Sequence, residues 1–134
     1  MTDQQTTIRQ EEFIPASPGE VYDAYLDAGR HTAFTGSPAT SDPRVGGKFT
    51  AWDQYIHGKY VTLEKDRRIV QQWITRDWPE GAPPSSLELR LEARDQGTHL
   101  TMIHSDVPET MMESLRQGWI DYYWEPMKSY FDQN

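Results

Sequence analysis

After Pro43 apolar and polar residues alternate with a period of two, in five runs separated by turn residues: GGKFTAWD, YIHGKYVTLE, RRIVQQWITRDW, SSLELRLEAR and THLTMIHSD. A period of two sends successive side chains to opposite faces of a strand, so these runs predict a series of antiparallel strands. In the clearest run Leu87, Leu89, Leu91 and Ala93 alternate with Glu88, Arg90, Glu92 and Arg94. That pattern predicts a sheet with one dry face and one wet face. Asp95-Gln96-Gly97 predicts a tight hairpin, whereas Asp77 to Ser85, with Pro79, Gly81, Pro83 and Pro84, predicts a longer loop. Upstream, TTIRQEEFIP from Thr6 to Pro15 reads as a first strand, with Ile8, Phe13 and Ile14 as its apolar members and Pro15 as its end.

Helical spacing replaces alternation in two places. Ser17-Pro18-Gly19-Glu20 is a capping-box pattern with proline at the first helical position, followed by Val21, Tyr22, Tyr25 and Leu26 at helical intervals. A second short helix is predicted from Ala28 to Phe34, stopping at Gly36. From Thr110 the helical signal returns, with Thr110 and Glu113 as a second capping box and Leu115, Trp119, Tyr122, Tyr123, Met127 and Tyr130 on one broad face. Pro126 removes the hydrogen bond to the Tyr122 carbonyl and predicts a local kink. The whole order predicts an α+β fold in two layers, a curved antiparallel β-sheet wrapped around a long C-terminal α-helix, with two short helices after the first strand. Between such a sheet and such a helix the gap is commonly a pocket.

Composition sharpens this picture. The 134 residues suit one domain, 1–134, with an ordered core expected over about residues 6–132. Five Trp and seven Tyr against four Phe predict an aromatic core with polar handles that need partners. Cysteine is absent, which excludes disulfides, thiolate nucleophiles and Cys-ligated metals. The first ten residues are polar and no run approaches the ~18 apolar residues that span a bilayer, so a soluble, cytoplasmic protein with no membrane span is expected. A net charge of -8 repels phosphate backbones, and nucleic acid is not an expected partner.

The segments ASPGEVYDAYLDA (Ala16 to Ala28), GGKFTAWDQYIHGKY (Gly46 to Tyr60), RRIVQQW (Arg67 to Trp73), THLTMIHSDVP (Thr98 to Pro108) and GWIDYYWEPMKSYF (Gly118 to Phe131) together resemble the SRPBCC (START-like, helix-grip) superfamily. Within it they are similar to the group of the C-terminal domain of the heat-shock-protein ATPase activator. The resemblance covers nearly the whole chain and implies a helix-grip fold, a cytosolic setting and a cavity between sheet and C-terminal helix. It implies no single function, because proteins of this fold bind lipids or hormones, cyclise polyketides or assist a chaperone.

Candidate ligand-binding residues are Trp52, Trp73, Trp119, Tyr123 and Met127, with Phe34, Phe49 and Tyr60; each is equally at home in a plain core. His104 shares strand parity with Leu100 and Met102 and should face the same interior, with Asp106 two residues further on that side. A histidine held by a carboxylate is the arrangement general acid–base catalysis needs, so His104 and Asp106 are the catalytic candidates, although a structural histidine fits the same pattern. Asp53 suits a cavity mouth or a solvated strand end, and Trp78 suits a pocket rim, a partner contact or a cap on the sheet. Gly46-Gly47 precedes a strand rather than a helix and predicts a turn; His31, His57 and His99 lack metal-ligand spacing, and neither metal nor cofactor is expected. Three functions remain. The first is binding of a small apolar or amphipathic molecule. The second is an interaction module, chaperone-associated, stress-related or homodimeric. The third is a cyclase or hydrolase using His104 and Asp106, with a non-enzyme preferred.

Overall fold

The computed structural model describes residues 6–132. Its elements run β1 (Ile8–Ile14), α1 (Pro18–Leu26), α2 (Ala28–Thr35), β2 (Thr40–Ser41), β3 (Lys48–Ala51), β4 (Ile56–Glu64), β5 (Arg68–Thr75), β6 (Ser85–Arg94) and β7 (Gly97–Ser105). A 3-10 turn (Glu109–Met111) then leads into α3 (Met112–Trp119), a π turn (Ile120–Trp124) and α4 (Glu125–Asp132). The seven strands form one curved antiparallel sheet in the order β1-β7-β6-β5-β4-β3-β2, and the C-terminal helix covers its inner face. This is the expected α+β helix-grip arrangement. It has one strand more than the period-two runs predict, because Thr40–Ser41 is too short to show an alternation.

Local chemistry explains most of the boundaries. The Ser17 hydroxyl accepts from the Glu20 amide at 3.2 Å while the Glu20 carboxylate accepts from the Ser17 amide at 3.3 Å, a complete capping box. Ser17→Ala is expected to lower the unfolding free energy by about 1 kcal/mol in urea denaturation; an unchanged midpoint would mean that the cap contributes nothing. Gly36 closes α2 in the left-handed conformation. Asp95 and Gln96 both have positive φ, which makes the β6–β7 hairpin a two-residue turn of the primed type, with Gly97 already inside β7. A side chain at Gly97 would strike the Phe13 ring and the Ile14 carbonyl.

The structure corrects four expectations. Thr110 does not cap the last helix: the chain passes through a 3-10 turn, and the residue before α3 is Met111, with no side-chain cap. The disturbance expected at Pro126 takes the form of a π turn just upstream, where the Glu125 amide reaches back five residues to the Ile120 carbonyl. That turn rotates the inward face, so Trp124 is fully buried and Tyr122, expected on the buried face, is exposed. Phe13 and Ala93 also lie exposed, Phe13 because strand parity puts it on the outer face and Ala93 because β6 runs past the end of the core. Strand parity turns Gln10 and Glu12 inward instead. Gln10 accepts from the Trp124 indole at 2.7 Å and donates to the Arg116 carbonyl at 2.9 Å, and Glu12 pairs with Lys128 at 2.5 Å. Those bonds tie the C-terminal helix to β1.

Candidate functional site

Two buried polar chains organise the space between sheet and helix. In the first, the Trp119 indole N–H donates to His104 Nδ1 at 3.1 Å, and His104 Nε2 lies 2.8 Å from the Ser85 hydroxyl, which donates to the Trp73 carbonyl at 2.5 Å. An imidazole that accepts at Nδ1 must carry its proton on Nε2, so one neutral tautomer satisfies every bond in the chain. Burial pushes the His104 pKa down to about 3. A second proton would have to sit on Nδ1, facing the indole N–H. In the second chain, His31 Nδ1 donates to the Tyr25 carbonyl at 2.9 Å, its Nε2 accepts from the Tyr123 hydroxyl at 2.8 Å, and the Tyr25 hydroxyl donates to Gln71 at 2.9 Å. Burial lowers the His31 pKa and raises those of Tyr25 and Tyr123. Every group in this chain is neutral near pH 7.

In front of these chains lies an aromatic cleft of about 480 Å³ between the β3–β4 turn, β5 and the helix α3 with its π turn. Trp52, Tyr55, Ile56, Trp73, Ser114, Leu115, Gly118, Trp119, Tyr122 and Tyr123 line it. Trp73 and Trp119 pack at 5.6 Å between ring centroids, and Trp119 stacks on Trp124 at 5.3 Å and 16°. Stacking of residues five apart follows from the π turn, which brings i and i+5 onto one face. At the mouth, Trp52 meets Tyr122 edge to face at 5.3 Å. Trp52, Asp53 and Gln54 all have left-handed backbones, with φ of 52°, 55° and 70°. A bulky residue rarely adopts this conformation. The turn is tied down by the Asp53 amide to the Pro38 carbonyl at 3.0 Å, Arg76 to the Asp53 carbonyl at 3.2 Å and the Arg76 amide to the Tyr55 carbonyl at 2.7 Å.

Of the residues proposed from the sequence, the cleft brings together Trp52, Trp73, Trp119 and Tyr123. Phe34, Phe49, Tyr60, His104 and Met127 are buried in the core behind its wall and do not line it. Phe34 packs on His31 at 5.0 Å and Phe49 on Tyr60 at 5.3 Å, and the Tyr60 hydroxyl bonds Ser41 at 2.7 Å. The catalytic pairing of His104 with Asp106 does not form: Asp106 is exposed with a left-handed backbone, and Ser85 and Trp119 occupy both imidazole nitrogens. Parity fails because β7 ends at Ser105 and the chain turns there. Asp53 sits in solvent on the β3–β4 turn. Trp78 caps the sheet end, with its indole donating to the Pro83 carbonyl at 3.0 Å and its ring against Trp73. Gly46-Gly47 is a turn. Tyr55, Ile56, Ser114, Leu115, Gly118 and Tyr122 also line the cleft and are not among the ligand-binding candidates; Gly118, an unfavourable residue inside a helix, is the available signal.

Comparison with known proteins agrees with this fold. The profile of the family described as Activator of Hsp90 ATPase homolog 1-like protein matches residues 15–132. The human Activator of 90 kDa heat shock protein ATPase homolog 1 is 33% identical over 124 residues, which is 92% of this chain and 36% of the human protein. The chain thus spans about a third of the length of such curated relatives. Among solved structures, an HSP90 activator from Plasmodium falciparum superposes with a TM-score of 0.87 at 24% identity, over 95% of this chain and 96% of that one. The Aha1 dimer from Colwellia psychrerythraea gives 0.78 at 18% identity, over 92% and 94%. At those identities the likeness is one of fold.

Proposed function

The chain belongs to the Activator of Hsp90 ATPase homolog 1-like family, and on that scaffold we propose that it is a cytoplasmic, single-domain binding protein that takes a small apolar or amphipathic molecule into the aromatic cleft. The observation that carries this is the cleft itself, open beside a wall of Trp52, Trp73, Trp119 and Tyr123 and roomy at about 480 Å³. Such a volume lies in the range of small-molecule sites. Apolar surface buried there stabilises a complex by roughly 25 cal/mol per Å² before the costs of association. No helix among the described residues is long and apolar enough to cross a membrane.

Native mass spectrometry of the protein purified from its own cells, beside a denatured control, tests the reading. A defined extra mass lost on denaturation is expected, and Gly118→Leu is expected to abolish it. A Cβ at Gly118 meets nothing nearer than the Tyr122 ring at 3.6 Å, an ordinary contact, and Gly118 lines the cleft, so a larger side chain there takes up cleft space. Thermal stability of Gly118→Leu should be unchanged or higher, because leucine is a much better helix former than glycine. An extra mass that persists in Gly118→Leu would place the ligand elsewhere.

The name of the human relative favours a second reading, an interaction module that contacts an Hsp90-type chaperone. Stimulation of a purified Hsp90 ATPase by this chain is its direct test, and an unchanged rate at saturating chain concentration removes it.

A further inference from the structure

We propose that the outer face of β3, β4 and β5 is a second binding surface, and that its occupant is an acidic segment of another protein. This surface lies on the face of the sheet opposite the C-terminal helix and is independent of any ligand in the aromatic cleft.

The strand register puts two lysines face to face. Lys48 on β3 is the direct partner of Lys59 on β4, and the next pair on the same face is Thr50 with His57. Like charges directly opposite each other destabilise a sheet. Both lysines are exposed, and neither makes an ion pair among the described residues. Arg76, just past β5, extends the patch and donates to the Asp53 carbonyl at 3.2 Å rather than to a carboxylate. These groups border an open groove of about 600 Å³ that no Asp or Glu lines. The neighbouring carboxylates are engaged elsewhere: Asp42 with Arg44 at 2.9 Å, Glu88 with Arg68 at 2.6 Å, and Asp77 with the Tyr55 hydroxyl at 2.8 Å. In a chain of net charge -8, a basic groove with no counter-charge breaks a local rule without benefit to the fold, as functional surfaces do.

The rest of the groove favours a polypeptide over a bare anion. Thr50, Gln54 and Gln72 offer hydroxyl and amide groups that suit a peptide backbone, and Ile74 and Pro84 add apolar contact. At Gly58 the groove has no side chain: a Cβ there would lie 1.8 Å from the Gln72 carbonyl oxygen, so only glycine permits this approach of β4 to β5. From Lys48 on β3 to Arg76 beyond β5 the cations span two strand spacings, roughly 10 Å. One carboxylate or phosphate covers only part of that distance, whereas successive Asp and Glu residues cover all of it. A nucleic-acid backbone carries its charge well past the groove and meets the long-range repulsion of an acidic protein. A short acidic segment places its charge only where the cations are.

Fluorescence anisotropy with three labelled probes tests this in about 0.1 M salt, where charges more than about 10 Å away are screened. The probes are a short peptide alternating Glu and Asp around one Ile, the same peptide with Gln and Asn in their place, and an oligothymidylate of equal charge. The acidic peptide is expected to bind about tenfold tighter than the Gln/Asn peptide, the size of a few exposed ion pairs together, and tighter than the oligothymidylate. Lys48→Glu combined with Lys59→Glu should erase that preference. Arg30→Glu combined with Lys65→Glu makes the same change of net charge at exposed sites off the groove and should leave it within about twofold. Lys48→Glu alone turns the like-charge pair into an opposite-charge pair, so it should raise the thermal unfolding midpoint while weakening the acidic peptide. Equal losses in the two double variants, tighter binding of the oligothymidylate, or no binding of the acidic peptide each overturns the proposal. Self-association that is lost in the Lys48, Lys59 double variant also overturns it, by assigning the groove to a second copy of this chain.

Discussion

Trp119→Ala is expected to lower the unfolding free energy by about 3–5 kcal/mol, the usual range for deleting a buried Trp. Against a total stability of roughly 5–15 kcal/mol this is about a fifth or more of what holds the fold. Trp119 is 3% exposed and sits at the crossing of the aromatic contacts, with Tyr123 at 4.8 Å, Trp124 at 5.3 Å, Trp73 at 5.6 Å and His104 at 5.8 Å. Its loss also leaves His104 Nδ1 without a donor. Since Trp119 forms part of the cleft wall, water should enter the gap and hydrate that nitrogen, so the variant should also raise the His104 pKa toward its ordinary value. Urea denaturation gives the first quantity and an imidazole NMR titration the second. Trp119→Phe keeps most of the volume and should lose markedly less; equal losses for the two variants would mean that the indole N–H, not the packing, is what matters.

Mild acid is the second large effect. His104 has a folded pKa near 3 and an ordinary value of 6.5, so between those limits the unfolded chain binds a proton that the native protein does not. Stability therefore rises with pH in that window and falls as pH drops below 6.5, with the loss complete near pH 3. For His104 alone the loss between pH 7 and pH 5 is about 2 kcal/mol, and His31, also lowered by burial, adds to it. The carboxylates held below their usual range, Glu11, Asp77 and Glu88, act with the same sign but only at lower pH, where carboxylates titrate. The interval from pH 7 to 5 thus isolates the histidines. His104→Gln, which can accept from Trp119 and donate to Ser85 as the neutral imidazole does, should flatten the stability profile there. A profile as steep as the parent's would show that His104 is not the group responsible.

The sheet and α1 are legible because each needs only short-range pattern: the alternation of Leu87, Leu89 and Leu91, and the Ser17 to Glu20 box, are decided within a few residues. What stayed hidden depends on groups far apart in the chain. His104 was expected beside Asp106, two residues away; its partners are Ser85 and Trp119, nineteen and fifteen residues off in sequence. The π turn was also invisible, because a period of 3.6 assumes the phase that this turn breaks, and with it went the burial of Trp124 and the exposure of Tyr122. Trp52 lines the cleft for a reason the alternation misses. The strand read through Asp53 ends at Ala51, and a left-handed turn rather than a pleat presents the indole.

The claim that the aromatic cleft is a small-molecule site is tested most directly by the five indole N–H signals in a 15N–1H spectrum during titration with 9-fluorenone. The Trp52, Trp73 and Trp119 signals are expected to shift, because these three indoles wall the cleft and feel the ring current of an aromatic probe seated there. Those of Trp78 and Trp124, already bonded to the Pro83 carbonyl and to Gln10, should stay in place. Unmoved Trp52 and Trp73 signals at saturating probe would contradict the account.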